Sequence, residues 1–314
     1  MRIGICRDRE QFSTVIQPVE DALRARGHEL LIDHKRSRAG TFDAYIFINY
    51  QGCSDQVKGV RFWLAHGISC FKPWWIARFA DVHLAWGPYM ARRLAEKMAE
   101  KKVSVRCPMT GWSKTDELVR LAGQRALLRP QVCRYFELDP AKPILAWMPT
   151  YHCAAKPERD YRLEDVLPRL RASSRFQTVL TGHDLDLPNL PPEWRGKLQK
   201  NAVMQMQLLT AADCVLTDSS SIACESLAVD QRPVVQMDDL AVPFYRHCER
   251  RADQPEPDFS DWARPETVVE TVERVLAQPL ERQARRIYWR DQMLGPTDGR
   301  CVERIVAEIE RAAK

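Results

Sequence analysis

The sequence predicts an α/β protein made of two doubly wound parallel-sheet domains, and three observations lead there. Short apolar runs alternate with helix-length amphipathic stretches along the chain, the rhythm of strands covered on both faces by crossover helices. The 314 residues, 45% hydrophobic and 28% charged, provide cores for two domains of ordinary size. A turn signal, LDPAKP at 138–143, separates two such alternating regions.

The opening reads as a βαβ unit: a strand at 3–6, a helix at 12–26 with Val15, Val19 and Leu23 at four-residue spacing, and a strand at 29–32. Apolar runs at 44–48, 62–65 and 82–86 follow, with a helix at 88–101 and a polar, Arg-rich helical stretch at 113–134. Beyond the turn signal, strands are expected at 144–148, 177–180, 214–217 and 234–236. Helices are expected at 163–172, 205–211, 221–229, 265–277 and 300–312. The resulting organisation is an N-terminal domain over 1–125, a C-terminal domain over 126–298, and a final helix over 299–314 that can cross back to the first domain. No internal repeat is evident.

The 47 Lys and Arg against 42 Asp and Glu give a net charge of +5, far below that of a dedicated nucleic-acid binder, so no nucleic-acid partner is expected. Two local clusters are more basic: Arg92, Arg93, Lys97, Lys101, Lys102 and Arg106, and Arg282, Arg285, Arg286 and Arg290. Each reads either as a solvated helix face or as an anchor to an anionic membrane surface. The 10 cysteines never come closer than Cys214 and Cys224, without CxxC or zinc-ligand spacing, and read as reduced cytosolic thiols. With no run near the ~18 apolar residues of a membrane span and a charged start, MRIGICRDRE, a cytoplasmic protein is expected, with peripheral contact at the inner membrane face left open.

Chemistry concentrates between Asp213 and Val235, where an apolar strand ends in Thr217, Asp218, Ser219, Ser220 and Ser221 and passes straight into a helix. Unpaired N–H groups, the helix dipole and hydroxyl donors suit a phosphate or pyrophosphate there, although Asp and Ser are also ordinary capping residues. Glu225, about one turn further on, reads as a ribose-binding carboxylate or as a solvent-facing helix residue. A second apolar run delivers His66 to its carboxyl end with Gly67 beside it, where an imidazole can serve as general base or as a structural hydrogen-bonding group. His183 and Thr150, each following a strand, can donate to a phosphate or stabilise a turn. Asp184 and Asp186 form a DxD too short to specify a metal site.

Taken in order, these segments resemble the CDP-glycerol glycerophosphotransferase family of teichoic-acid and capsule assembly. The likeness spans about residues 43–240: His66-Gly67-Ile68, Gly87-Pro88-Tyr89, Gly111 to Asp116, Met148 to Tyr151, Gly182-His183-Asp184, and Thr217 to Ser221. The resemblance implies the GT-B architecture, two Rossmann-like domains facing a cleft. It implies that His66 activates an acceptor hydroxyl for attack on the β-phosphorus of CDP-glycerol, with release of CMP. His183, Thr150, Ser220 and Ser221 would hold the pyrophosphate and Glu225 the ribose, with Gly67, Thr217, Asp218 and Ser219 completing the donor-binding set. The expected partners are CDP-glycerol or another nucleotide-activated donor and a polysaccharide or lipid-linked acceptor; no metal and no cofactor are implied.

Other readings stay open. A retaining GT-B transferase would carry Glu-x7-Glu, but eight positions from Glu225 lie Thr217 and Pro233. An inverting transferase using a CMP- or UDP-sugar, such as a Kdo transferase, shares the Asp-Ser-Ser logic, as does a UDP-GlcNAc 2-epimerase. A membrane-associated scaffold would need neither His66 nor the serine cluster. Trp63, Trp74, Trp75 and Trp86 read as core residues, while Phe71, Trp74, Trp75 and Phe79, interleaved with Lys72 and Arg78, read as core or as an interfacial segment.

Overall fold

The computed structural model describes residues 1–7, 13–32, 40–49, 53–67, 78–149, 163–181, 202–218, 220–230, 232–237 and 257–314. Its contacts divide the chain into two compact units, one of Met1–Val119 with Asp291–Lys314 and one of Arg120–Arg290.

In the first unit, β1 (Arg2–Cys6), β2 (Glu29–Ile32), β3 (Gly40–Phe47), β4 (Val57–Trp63) and β5 (Val82–His83) form one parallel sheet in the order β2-β1-β3-β4-β5. Ile3, Ile5, Tyr45, Phe47, Phe62 and Trp63 are buried, as the central strands of a covered parallel sheet require. Helix α1 (Ser13–Ala25) turns Val15, Ile16, Val19 and Leu23 inward, and α2 (Pro88–Glu100) does the same with Tyr89, Met90, Leu94 and Met98. The neighbours of β1 reverse direction along the sheet, so β1 and β3 frame a switch point at their carboxyl ends.

Two of the sequence motifs prove to hold the C-terminal segment of this unit. Gly111 sits at φ +81°, and a Cβ there would run into the Cys301 sulfur. Asp116, in α3 (Ser113–Ala122), accepts the Cys301 N–H on Oδ1 and the Val302 N–H on Oδ2, both at 2.8 Å. Those are the first amides of α10 (Cys301–Ala312), so the carboxylate caps that helix and complements its dipole. The helix buries Ile305, Val306 and Ile309 and packs on α1. At Gly87 a Cβ would lie 2.7 Å from the Gln292 carbonyl oxygen and the Gly295 nitrogen, so only glycine lets that backbone approach.

The second unit repeats the topology. Strands β6 (Ile144–Trp147), β7 (Gln177–Leu180), β8 (Cys214–Thr217), β9 (Val234–Met237) and β10 (Asp261–Ala263) pair in parallel in the order β10-β9-β8-β6-β7. Read from the other edge, that is the strand order of the first sheet, and its switch point lies between β6 and β8. Helix α4 (Arg125–Phe136) packs on α6 (Ala202–Ala211). Arg125 and Arg129 grip Asp213 at 2.7 and 2.8 Å, and Asp213 in turn accepts the Ile144 N–H at 2.8 Å, tying α4 to the starts of β6 and β8. Leu145, Trp147, Leu216, Val235 and Met237 form a core with α5 (Leu163–Ala172) and α8 (Val268–Ala277), and α7 (Ile222–Ala228) packs on β8 and β9.

The second basic cluster is a solvated face only in part: Arg285 is exposed but Arg286 is buried. It surrounds the start of α9 (Gln283–Leu294), a helix the sequence reading left out. Arg282 meets Asp261 at 3.2 Å, Arg285 meets Asp258 at 3.3 Å, and Arg286, only 3% exposed, donates to the Pro279 carbonyl. The acidic partners lie more than twenty residues upstream, beyond any local charge window. In the first cluster, Arg93 pairs with Glu96 and Arg106 with Glu308, while Arg92 lies over the Tyr89 ring. Among the described residues, no helix is long and apolar enough to cross a membrane.

Candidate functional site

The segment from Thr217 to Glu225 lies at the switch point of the second sheet. The Thr217 hydroxyl, fully buried, donates to the Met148 carbonyl across the β6–β8 junction at 2.7 Å, while the Met148 N–H donates to Leu216 at 2.8 Å. Both strand ends are thereby fixed where open α/β sheets bind ligands. Asp218 is 2% exposed. After it the chain turns: the Ser220 hydroxyl accepts the Ile222 N–H at 3.3 Å, and the Ser221 carbonyl accepts the N–H groups of Cys224 and Glu225 at 2.9 and 3.0 Å. Ser221 occupies the N-cap position of α7 with helical φ and makes no capping bond to the backbone.

Glu225 is buried, at 3% exposure, so it is not a solvent-facing helix residue. It accepts the Ser221 hydroxyl at 3.3 Å, which links the carboxylate to the serine turn. Beside it, burial and the Glu225 charge push the Cys224 thiol far above its ordinary value.

In the first unit, His66 follows β4 and is half-buried, with Gly67 buried next to it. His66 Nδ1 lies 3.4 Å from the Ile48 carbonyl oxygen, just beyond β3, and the Trp63 indole N–H donates to the same oxygen at 3.3 Å. A proton on Nδ1 directed at that carbonyl makes Nε2 the basic nitrogen of the ring. Trp63 and Trp86 are buried core residues.

The structure thus brings Thr217, Asp218, Ser220, Ser221 and Glu225 together in the second unit and sets His66 and Gly67 at a strand end in the first. Thr150, His183, Ser219, the Asp184–Asp186 pair, Phe71, Lys72, Trp74 and Trp75 lie outside the described residues. Two polar residues escaped the sequence reading. Gln236, on β9, donates from Nε2 to the Asp218 carbonyl at 3.0 Å and accepts the Ser260 hydroxyl on Oε1 at 2.5 Å. Both are buried. Their signal was present: a glutamine inside the apolar run Val234–Met237 needs partners.

No protein-family model and no curated protein matches this sequence. Solved structures do match. The wall teichoic acid polymerase TagF superimposes with a TM-score of 0.69 at 14% identity, over 99% of this chain and 89% of that one. A variant of it soaked with CDPG gives 0.69 at 13% identity, over 100% and 89%. The UDP-GlcNAc 2-epimerase of Neisseria meningitidis, bound to UDP-GlcNAc, gives 0.67 at 11% identity, over 99% and 100%. The S. aureus MnaA–UDP structure gives 0.63 at 12% identity, over 98% and 96%. What these likenesses carry is the fold: two parallel sheets flanked by helices, of the GT-B type.

Proposed function

We propose that the protein is a transferase that moves glycerol phosphate from CDP-glycerol to a hydroxyl of a surface-polymer or lipid-linked acceptor and releases CMP. The observation that carries the reading is the polar junction of Asp218, Ser220 and Ser221 between β8 and α7, with buried Glu225 bonded to Ser221, at the switch point of a GT-B-type sheet. The serine hydroxyls and turn amides suit a diphosphate, and Glu225 suits a ribose hydroxyl. His66, with Nδ1 committed to Ile48, takes the acceptor proton on Nε2. The acceptor oxygen then bonds to the β-phosphorus as the bond to the CMP phosphate oxygen breaks, and charge growing on the leaving phosphate is met by the hydroxyl and amide donors. Thr150 and His183 keep the pyrophosphate roles that the family resemblance implies.

A second reading has its own support. The meningococcal epimerase matches over nearly the whole of both chains, which favours a UDP-sugar donor. Thermal-shift measurements with CMP, CDP-glycerol, CMP-Kdo, UDP and UDP-GlcNAc separate the two. Stabilisation by CMP and CDP-glycerol is expected; stabilisation by UDP-GlcNAc alone would sink the cytidine assignment.

A further inference from the structure

We infer that Gln236 and Ser260 are positioning residues for donor binding, a buried relay that sets the backbone of the serine turn; this rests on the donor-site reading above. Gln236 stands in register with Thr217 on β8 and Trp262 on β10, so it lies between the strand that carries the turn and the edge strand. Val235 and Met237, its neighbours, join the core shared with α5 and α8. Gln236 therefore faces the other side of the sheet. It is fully buried there, where an aliphatic side chain would serve packing without the need to pair an amide.

Both ends of that amide are used, and their direction is fixed. Nε2 donates to the Asp218 carbonyl at 3.0 Å, while Oε1 accepts the Ser260 hydroxyl at 2.5 Å. Ser260 adjoins Asp261, which Arg274 holds at 2.7 Å and Arg282 at 3.2 Å. The Asp218 carbonyl is thus anchored through Gln236 and Ser260 to an ion-paired strand edge. Asp218 begins the turn whose Ser220 and Ser221 would meet the diphosphate. A turn held in its bound conformation loses less entropy on binding, so the relay acts first on donor affinity, and on the chemical step through the donors that the same turn aims at the leaving phosphate.

The test uses the full-length protein with CMP, CDP-glycerol and UDP as probes, in calorimetric titrations and, with CDP-glycerol, in CMP-release kinetics. Gln236→Met keeps the volume and removes both bonds; it is expected to weaken nucleotide binding and raise KM about tenfold, with a smaller fall in kcat. Ser260→Ala should give a smaller loss in the same direction. In Gln236→Glu a carboxylate faces the Asp218 carbonyl and repels it, but a protonated carboxyl donates to it. Nucleotide affinity of that variant should recover as pH falls from about 8 to about 5.5, which a purely structural role would not produce. Melting curves establish that each variant is folded. Wild-type affinity retained in folded Gln236→Met, or in Ser260→Ala and Gln236→Glu at every pH should Gln236→Met not fold, overturns the relay. Failure of the wild-type protein to bind any of the three probes instead overturns the donor-site reading, and the relay with it.

Discussion

Acid should loosen the first unit through one side chain. His83 on β5 is completely buried, stands edge-on to the Trp63 ring at 4.7 Å, and has no hydrogen-bond partner among the described residues on either ring nitrogen. Burial pulls it down from 6.5 to about 3, because a charge there would lose its hydration. Above pH 6.5 the imidazole is neutral whether the chain is folded or not, so this group adds no pH dependence. Below it the unfolded chain binds a proton that the folded chain refuses until about pH 3, and stability falls as pH falls. At ~1.4 kcal/mol per pH unit, the loss is about 2 kcal/mol by about pH 5 and about 5 kcal/mol over the whole window. That is a large part of the 5–15 kcal/mol, roughly, that holds a domain together. Glu20 works the other way: burial raises its carboxyl, and its protonation favours the folded state as pH falls. Comparison with His83→Phe, which keeps a ring against Trp63, cancels that contribution. Hydrogen exchange of peptides covering 57–67 and 78–86, measured from about pH 7 to about pH 5 and corrected for intrinsic rates, reads the local opening free energy. The wild type should lose about 2 kcal/mol more than His83→Phe across that range. Parallel pH dependences of the two proteins would show that His83 does not carry the acid sensitivity.

Three further outcomes follow from the geometry. Asp116→Ala removes the acceptor of two α10 amides and should lower stability by about 1–2 kcal/mol, read as a fall in the denaturation midpoint of the first unit. Gly111→Ala adds a Cβ at positive φ against the Cys301 sulfur and should destabilise by at least ~1–3 kcal/mol, partly restored by Cys301→Ala, with the double-mutant cycle as the check. His66→Ala should abolish CMP release while titrations still show nucleotide binding; loss of both together would take His66 out of the base role.

Much of this was legible where information is local. The spacing of Val15, Val19 and Leu23 marks the buried face of α1, and the apolar runs at 144–147 and 214–217 mark strands that emerge buried on both faces. What escaped depends on distant partners. The 113–134 helical stretch breaks into α3 and α4 around Gly123 and Gln124, and the 82–86 run yields only two strand residues, with isolated bridges from Val82 to Arg106 and from Ala85 to Met109. Arg286 looks solvated in sequence because its surroundings, Asp261 among them, come from elsewhere in the chain. Gly111 and Asp116 stand in sequence only as part of a family-like motif, and their role shows once α10 appears as what they hold. In the candidate site, strand end, serine turn and Glu225 could be read from one contiguous segment; the Gln236–Ser260 relay beneath them joins three segments and could not.

The central claim is that the serine turn receives a cytidine-activated donor whose glycerol phosphate is transferred. Incubation of the pure protein with CDP-glycerol and a glycerol-phosphate-terminated acceptor, with nucleotide products followed by chromatography, tests it most directly. Acceptor-dependent release of CMP is expected, reduced more than tenfold in Ser220→Ala/Ser221→Ala. No CMP under these conditions, together with UDP released from UDP-GlcNAc, would contradict it.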